Sequence, residues 1–571
     1  MDRISKHAGF AAAAIGLLMM LGCRSSEKAP AFALILEKKI PELMSQAHIP
    51  GLSIAVIKKG EVIWTGAYGV RRTGEEDGIN ENTMFEAASL SKPVTAYTVL
   101  RLVEKGIMDL DTPLADYYPY EKLAGDDRYK KLTARIVLTH TTGLPNWGTR
   151  FLREPGERYG YSGEGFLYLG RTAEKLTGLT LHQLAKREVF DPLGMDHTSY
   201  VWNESYNLNG ASGHDRHGFP NPKRKITEPN GGASLLSTAR DYAVFVAAIL
   251  NGKGLSQSTI EDMITAHVKA EDRGPKEIQE KISWGWGWGV MPSETGTAFW
   301  HWGNNGDLRG YVVAYPDRSE GVVFFANSEN LFAISEAVIS ELFSDKQWPF
   351  DWMEVERLDD PLWSATLGIE QTFLKQGLKA GMEKFNAFRT SQPDLLKEGH
   401  IVGIAAYINQ KGKKEEAVQV LNLHLADHPK SLHSHYQLGI IYHDLGKNTA
   451  ALEEMEACLA ISPRFNRALH GRDWIKTAVE AEKTPVDISA ETLQSYAGDY
   501  GPRHIRFRDS ALYYRREGGV EYRLNSLRMD LFTLQGYGSF RIQFVLDEEG
   551  RITELIGHYL DGSSDHSPKN K

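Results

Sequence analysis

The chain has 571 residues, enough for about three to four domains at roughly 150 residues each, which excludes a single small binding module. With 42% hydrophobic, 10% aromatic and 24% charged residues it has the composition of a chain that buries a core, not of a disordered or collagen-like one. A formal net charge of -9 argues against a broad electrostatic grip on nucleic acid, and two cysteines, Cys23 and Cys458, exclude a disulfide scaffold.

A short polar start carrying Arg3 and Lys6 runs into an apolar stretch, 8–21, that is too short for a membrane span and reads as an export signal. It closes on Met20-Leu21-Gly22-Cys23, which resembles a bacterial lipoprotein signal, with Met20 where the usual pattern prefers Leu. That resemblance implies a signal peptide over 1–22, lipidation of Cys23, and a tether over 23–30. With Arg24 and not Asp after the cysteine, it implies an exported lipoprotein on the periplasmic face of the outer membrane, reaching the membrane by its lipid anchor only. The alternative is an ordinary secretory peptide cut nearby.

From about 31 to 348, short β-rich runs alternate with longer helical ones, the pattern of a layered domain around a central sheet. A helical pattern over 31–47 leads into the run 52–57, the turn Lys58-Lys59-Gly60 and the run Val62-Ile63-Trp64, a hairpin signal. Near the end of the block, 311–315 and 321–325 bracket the turn Pro316-Asp317-Arg318. Strands at both ends and mostly helices between are satisfied if the two ends pair in one antiparallel sheet.

A Trp-, Pro- and acid-containing stretch, 349–363, reads as a linker. In the helical block that follows, 364–480, Gly412-Lys413, Ala417, Leu425-Ala426 and Pro429 recur 34 residues later as Gly446-Lys447, Ala451, Leu459-Ala460 and Pro463. This period, with Gly at the turn and small residues where helices touch, resembles tetratricopeptide repeats and implies a protein partner. Leu367 to Pro393, with Ala380 and Phe385, reads as a degenerate further copy. Period-2 alternation over 486–562, with turns at Gly518-Gly519, Gly536 and Gly550, predicts a small antiparallel β module that resembles lipocalin-like C-terminal extensions of serine hydrolases; 563–571 reads as a tail.

The chemistry lies in the first block. Ser89 precedes an apolar helical pattern that begins near Pro93 and ends at Gly106, and Lys92 follows it at a spacing that shares a helix face. A serine hydroxyl is a poor nucleophile unless a neighbour takes its proton, and a desolvated lysine can do so once its pKa falls. The four-residue pattern alone is weak, since it also occurs at Ser25 to Lys28. Its company is specific: Thr139-His140-Thr141-Thr142-Gly143, then Tyr161-Ser162-Gly163, then Gly231-Gly232-Ala233, then His301-Trp302-Gly303, just before the closing strands.

In this order the segments resemble the family of class C β-lactamases, penicillin-binding D-alanyl-D-alanine carboxypeptidases and related serine esterases and aminopeptidases (peptidase S12-like), over about 49–327. The resemblance implies an α/β (α+β) β-lactamase/transpeptidase-like domain, an antiparallel central sheet flanked by helices, ahead of the helical repeats and the small all-β module. It makes Ser89 the acylated nucleophile, Lys92 its proton partner and Tyr161 the general base or proton relay. It places the oxyanion hole at the backbone N–H groups of Ser89 and Asn304, the residue after Gly303. Aligned donors of this kind are worth about 3 to 4 kcal/mol each to the tetrahedral oxyanion.

Two departures narrow the substrate. The second motif of β-lactamases ends in Asn, and Gly163 offers no amide. Their third motif begins with Lys, whereas His301 is mostly neutral at pH 7, so a substrate carboxylate is held less firmly unless Arg309 substitutes. These point to an exported serine hydrolase that cleaves a small-molecule, peptide or peptidoglycan-like ester, peptide or amide through a Ser89 acyl-enzyme, and not to an efficient β-lactamase. No cofactor, metal or nucleic acid is called for. His140 reads as structural, His214, Asp215 and His217 lack a metal-ligand frame, and Trp284, Trp286 and Trp288 read as packing residues on a strand. The alternative is a lipid-anchored binding or scaffold protein that recruits a partner through its repeats.

Overall fold

The computed structural model describes residues 30–560 and 562–570. The expected signal peptide and the lipidation site Cys23 lie outside them. Two compact units divide at Val355 and Glu356.

In the first unit, helix α1 (Ala31–Gln46) leads into strands β1 (Gly51–Lys58) and β2 (Glu61–Gly69). Lys59 and Gly60 both take positive φ, the two-residue turn whose twist matches an antiparallel pair. Strands β3 (Phe85–Ala88) and β4 (Leu235–Ser237) form a separate two-stranded ribbon. The remaining strands are β5 (Val268–Lys269), β6 (Ser283–Trp284), β7 (Gly289–Ser293), β8 (Gly296–Asn304), β9 (Arg309–Tyr315) and β10 (Glu320–Ala326). The central sheet is antiparallel in the order β2-β1-β10-β9-β8-β7-β6-β5, and β1 pairs with β10 from Leu52↔Ala326 to Ile57↔Gly321. The two ends of the block therefore meet, as the distribution of strands requires.

Apolar residues on both faces of β1, β9 and β10 sandwich the sheet between helical layers. Helices α2 (Ser91–Glu104), α3 (Gly163–Thr177) and α4 (Ala239–Leu250) carry the larger core on one side. Helix α5 (Leu331–Ile339) packs with α1 on the other.

Three expectations change here. The Trp284–Trp288 run is not one strand, because Gly287 at φ +81 turns the chain between β6 and β7; all three indoles are buried, as packing residues are. The expected linker begins inside the first unit: Trp348–Met353 is a helix, and Trp352 is fully buried against Trp284, Trp300 and Trp302. The expected tail contains a strand, Ser564–Pro568.

The second unit begins with α6 (Pro361–Ser391), broken at Gly377 (φ +80) into two helices. Then come α7 (Glu398–Gln410), α8 (Lys414–Asp427), α9 (Leu432–Asp444), α10 (Asn448–Ile461) and α11 (Asn466–Lys483). The first, third and fifth of these start 34 residues apart, and the turn glycines Gly412 and Gly446 both sit at positive φ. A meander of eight antiparallel strands follows: β11 (Gly498–Tyr500), β12 (Arg503–Arg508), β13 (Ala511–Arg516), β14 (Glu521–Ser526), β15 (Leu531–Leu534), β16 (Tyr537–Leu546), β17 (Ile552–Tyr559) and β18 (Ser564–Pro568). Tyr500 bridges Lys569, so the first strand meets the chain just past the last and the sheet closes into a barrel, which removes its open edges.

Candidate active site

Ser89 sits in the turn between β3 and α2, two residues ahead of the first helical residue, so Pro93 lies within the first turn and does not open it. Ala88 holds a positive φ of 49°, a conformation costly for a residue with a Cβ, and the Ser91 hydroxyl donates to the Ala88 carbonyl at 2.6 Å while accepting the Leu235 N–H. The strained turn is thus tied down from both strands of the ribbon and presents a partly accessible Ser89.

Lys92 is fully buried on the first turn of α2. Its Nζ donates to Ser89 Oγ at 3.0 Å and to the Gly232 carbonyl at 2.8 Å. Among the described residues no carboxylate pairs with it, and burial pushes its pKa down to about 7. The Tyr161 ring lies 4.6 Å from the same Nζ. The Tyr161 hydroxyl is buried without a regular hydrogen bond; burial drives its pKa far up, and an interaction with Ser89 pulls the other way. Burial thus brings the titration of the lysine close to neutral pH and keeps the phenol protonated there.

His140 positions Tyr161. Its backbone carbonyl accepts the Gly160 N–H at 2.8 Å, its Nδ1 accepts the Ser162 N–H at 3.0 Å, and its ring stacks on Tyr161 at 4.4 Å. The ring is fully buried, and desolvation, then Lys92, lowers its pKa well below the ordinary value.

Strand alternation decides where the third motif points. His301 pairs with Val312 and Gly303 with Gly310, and these positions face the layer that holds Ser89; a Cβ on Gly303 would lie 2.2 Å from the Ala87 carbonyl oxygen, so only glycine admits this approach. The contact brings the backbone of Asn304 alongside the Ser89 turn. Asn305 Nδ2 adds a second tie to β3, donating to Glu86 Oε2 at 2.7 Å, and Arg224 clasps Glu86 and Asp307 at 2.9 and 2.6 Å.

His301 is fully buried, and desolvation, then Lys92, pushes its pKa down to about 3. Nδ1 lies 2.7 Å from the Trp302 carbonyl, so it carries the proton and Nε2 keeps a lone pair, with no hydrogen-bond partner among the described residues. His301 is therefore a neutral group at any physiological pH. Arg309 does not replace it as a cation: Arg309 pairs with Asn304 and Ala326 on the opposite face of the sheet, and its guanidinium lies 4.8 Å over Phe332 of α5. The alternation of β9 carries it away from Ser89.

Gly163 opens α3, its N–H donating to Asn146 O at 2.9 Å. A Cβ there would lie 2.7 Å from the Trp147 ring and 2.9 Å from Asn146 Oδ1, and one on Gly232 would lie 3.2 Å from Trp147. Trp147 is 47% exposed, and its ring stands 6.0 Å from Lys92 Nζ. Trp147 and Asn146 are signalled in the sequence only by the unusual Gly163, and Glu86, Arg224 and Asn305 carry no signal there. Gly232 belongs to the segment Gly231-Gly232-Ala233.

These contacts place a buried lysine of lowered pKa on a partly accessible serine. The sequence model of the family described as Beta-lactamase matches residues 36–337, and the chain belongs to this family. Among curated relatives, "Protein flp" of Staphylococcus aureus (strain MRSA252) is 20% identical over 333 residues, 53% of this chain and 65% of that protein. A penicillin-binding protein of Bacillus subtilis (strain 168) is 27% identical over 183 residues, 28% of this chain and 39% of its own. The chain thus spans less than two thirds of these relatives. Among solved structures, D-alanine carboxypeptidase AmpC from Burkholderia cenocepacia is 21% identical with a TM-score of 0.47, covering 55% of this chain and 99% of that one.

Proposed function

We propose that the protein is an exported, Cys23-anchored serine hydrolase that cleaves an ester, peptide or amide through a Ser89 acyl-enzyme and turns over β-lactams slowly or not at all. The observation that carries this reading is the 3.0 Å hydrogen bond from Lys92 to Ser89, made by a buried lysine whose pKa has fallen to about 7. A neutral Lys92 accepts the Ser89 proton as Oγ attacks the acyl carbon. The backbone N–H groups of Ser89 and Asn304 are the candidate donors to the oxyanion, and Tyr161, beside both Ser89 and Lys92, relays the proton to the leaving group. Water then attacks the acyl-enzyme by the reverse proton path.

The substrate range rests on three features: Gly163 contributes no amide, His301 no charge, and Arg309 lies on the other face of the sheet. A substrate carboxylate thus has no fixed cation among these three. The 34-residue helical hairpins support a tetratricopeptide-like partner-binding role for the second unit.

The deciding experiment is the intact mass of the protein after reaction with a serine-directed fluorophosphonate and with a penicillin, on wild type and Ser89→Ala. One phosphonate adduct on wild type and none on Ser89→Ala is expected. Equal labelling of both, or none of either, overturns the enzyme reading, and rapid cephalosporin turnover overturns the substrate range. Cys23→Ser is expected to release the protein from membranes.

A further inference from the structure

The β-barrel of the second unit contains two buried arginines, and the fold treats them differently. Arg503 on β12 is 1% exposed and is met by the Asp565 carboxylate and, at 2.7 Å, by Ser567 Oγ. Arg541 on β16 is 4% exposed and, among the described residues, meets no carboxylate. Its Nη2 donates to the Trp474 carbonyl at 2.7 Å, its guanidinium lies 4.0 Å over the Trp474 indole, and its Nε has no acceptor. A carbonyl and an aromatic face compensate a buried guanidinium only in part, because the lost hydration of a full charge is recovered by a counter-charge.

Arg541 forms part of the wall of a cavity of about 360 Å³ between α11 and strands β16 and β17. This volume falls near the lower end of small-molecule sites. Arg528 stands exposed at its mouth as a second cation, its Nη2 donating to Thr477 Oγ1 at 3.3 Å. Asp473, the one acidic residue of the lining among the described residues, is bound to Arg472 at 2.8 Å. Trp474, Leu531 and Tyr559 give the cavity an apolar wall, and His558 is engaged by Gln543 at 2.9 Å.

We propose that this cavity binds the carboxylate of a small amphipathic acid, with Arg541 as the buried cation that receives it, Arg528 as the outer one, and the indole of Trp474 against the apolar body. A carboxylate is favoured over a phosphate for two reasons. The single buried charge is matched by a monoanion, whereas a dianion adds desolvation against apolar walls. The same barrel already neutralises its other buried arginine with a carboxylate.

Calorimetric titration of the full chain with 4-phenylbutyrate, with 4-phenylbutylamine and with inorganic phosphate tests this, on wild type, Arg541→Gln and Arg528→Gln. Phenylbutyrate is expected to bind wild type at one site, about tenfold more weakly to Arg528→Gln and not to Arg541→Gln, with the amine silent and phosphate about tenfold weaker than the acid. Phenylbutyrate that does not bind wild type overturns the proposal. So does phenylbutyrate that binds Arg528→Gln as tightly as wild type, which is also the signature of binding in the Ser89 cleft, and so does phosphate that binds as well as the acid. Arg528 is exposed, so its variant decides the matter even if Arg541→Gln does not fold.

Discussion

The Trp147 ring occupies the space that a side chain at position 163 would fill, 2.7 Å from where its Cβ would stand, and the same ring stands 6.0 Å from Lys92 Nζ. The absence of a side chain at position 163 and the placement of the Trp147 indole are therefore coupled beside Lys92. Trp147→Ala is expected to raise kcat/KM for bulky acyl esters about tenfold relative to acetyl esters, with stability altered by less than about 1 kcal/mol because the ring is half exposed. An unchanged ratio would show that Trp147 does not border the acyl group. Gly163→Asn has to displace the indole and is expected to lose about 1–3 kcal/mol in urea unfolding.

Acylation is expected to rise with pH through about 7 and then level off, because only neutral Lys92 accepts the Ser89 proton. Stopped-flow phosphonate labelling from pH 5 to 9 reads this limb directly. In Lys92→Met the rate is expected to fall about 10²–10⁴-fold and to lose the limb.

The same shift has a stability consequence of definite sign. Lys92 has a folded pKa of about 7 and an unfolded one near 10.4, so between those values the unfolded chain holds the extra proton and stability rises with pH. The destabilisation is complete below about pH 7. Lys92→Met is therefore expected to stabilise the protein by about 1–3 kcal/mol at pH 6 and by less at pH 10, the gain being limited by the Gly232 carbonyl left without a donor. Thermal melts at the two pH values compare these directly.

His301, neutral down to about pH 3, is expected to contribute no limb between pH 5 and 9, so the acylation profile of His301→Gln should keep the midpoint of wild type. Restoring the cation with His301→Lys places a second ammonium in a dry site already occupied by Lys92, with an expected loss of about 3 kcal/mol or more in chemical denaturation. A variant as stable as wild type with gained cephalosporin turnover would contradict this.

Trp352 locates the domain boundary. A chain ending at residue 348 lacks the indole buried among Trp284, Trp300 and Trp302 and is expected to be less stable than one ending at 355. Trp352→Ala in the full chain should cost about 3–5 kcal/mol and weaken the near-ultraviolet circular dichroism.

Much of the candidate site was legible in the residues themselves. Ser89 and Lys92 are three residues apart, and Tyr161, Gly232 and Gly303 belong to short segments with turn-forming or small residues at set places, so a linear reading finds them. Glu86, Arg224 and Asn305 were not legible, since their bond pattern joins positions as far as 219 residues apart and each alone reads as an ordinary polar residue. Arg309 was misplaced for a related reason. A charge next to a motif suggests a role, but the two-residue period of β9 sends it through the sheet to Phe332.

Local sequence was sufficient for features whose cause is local: the Lys59-Gly60 hairpin, the turn after Tyr315, the glycines 412 and 446, and the serine ahead of a helix with lysine one turn on. Tertiary structure alone decided the lowered pKa values of Lys92 and His301, the burial of Trp352, the closure of the barrel between Tyr500 and Lys569, and the burial of Arg541 without a carboxylate among the described residues. Desolvation and neutralisation depend on which distant segments surround a group, and no stretch of the chain contains that information until it folds.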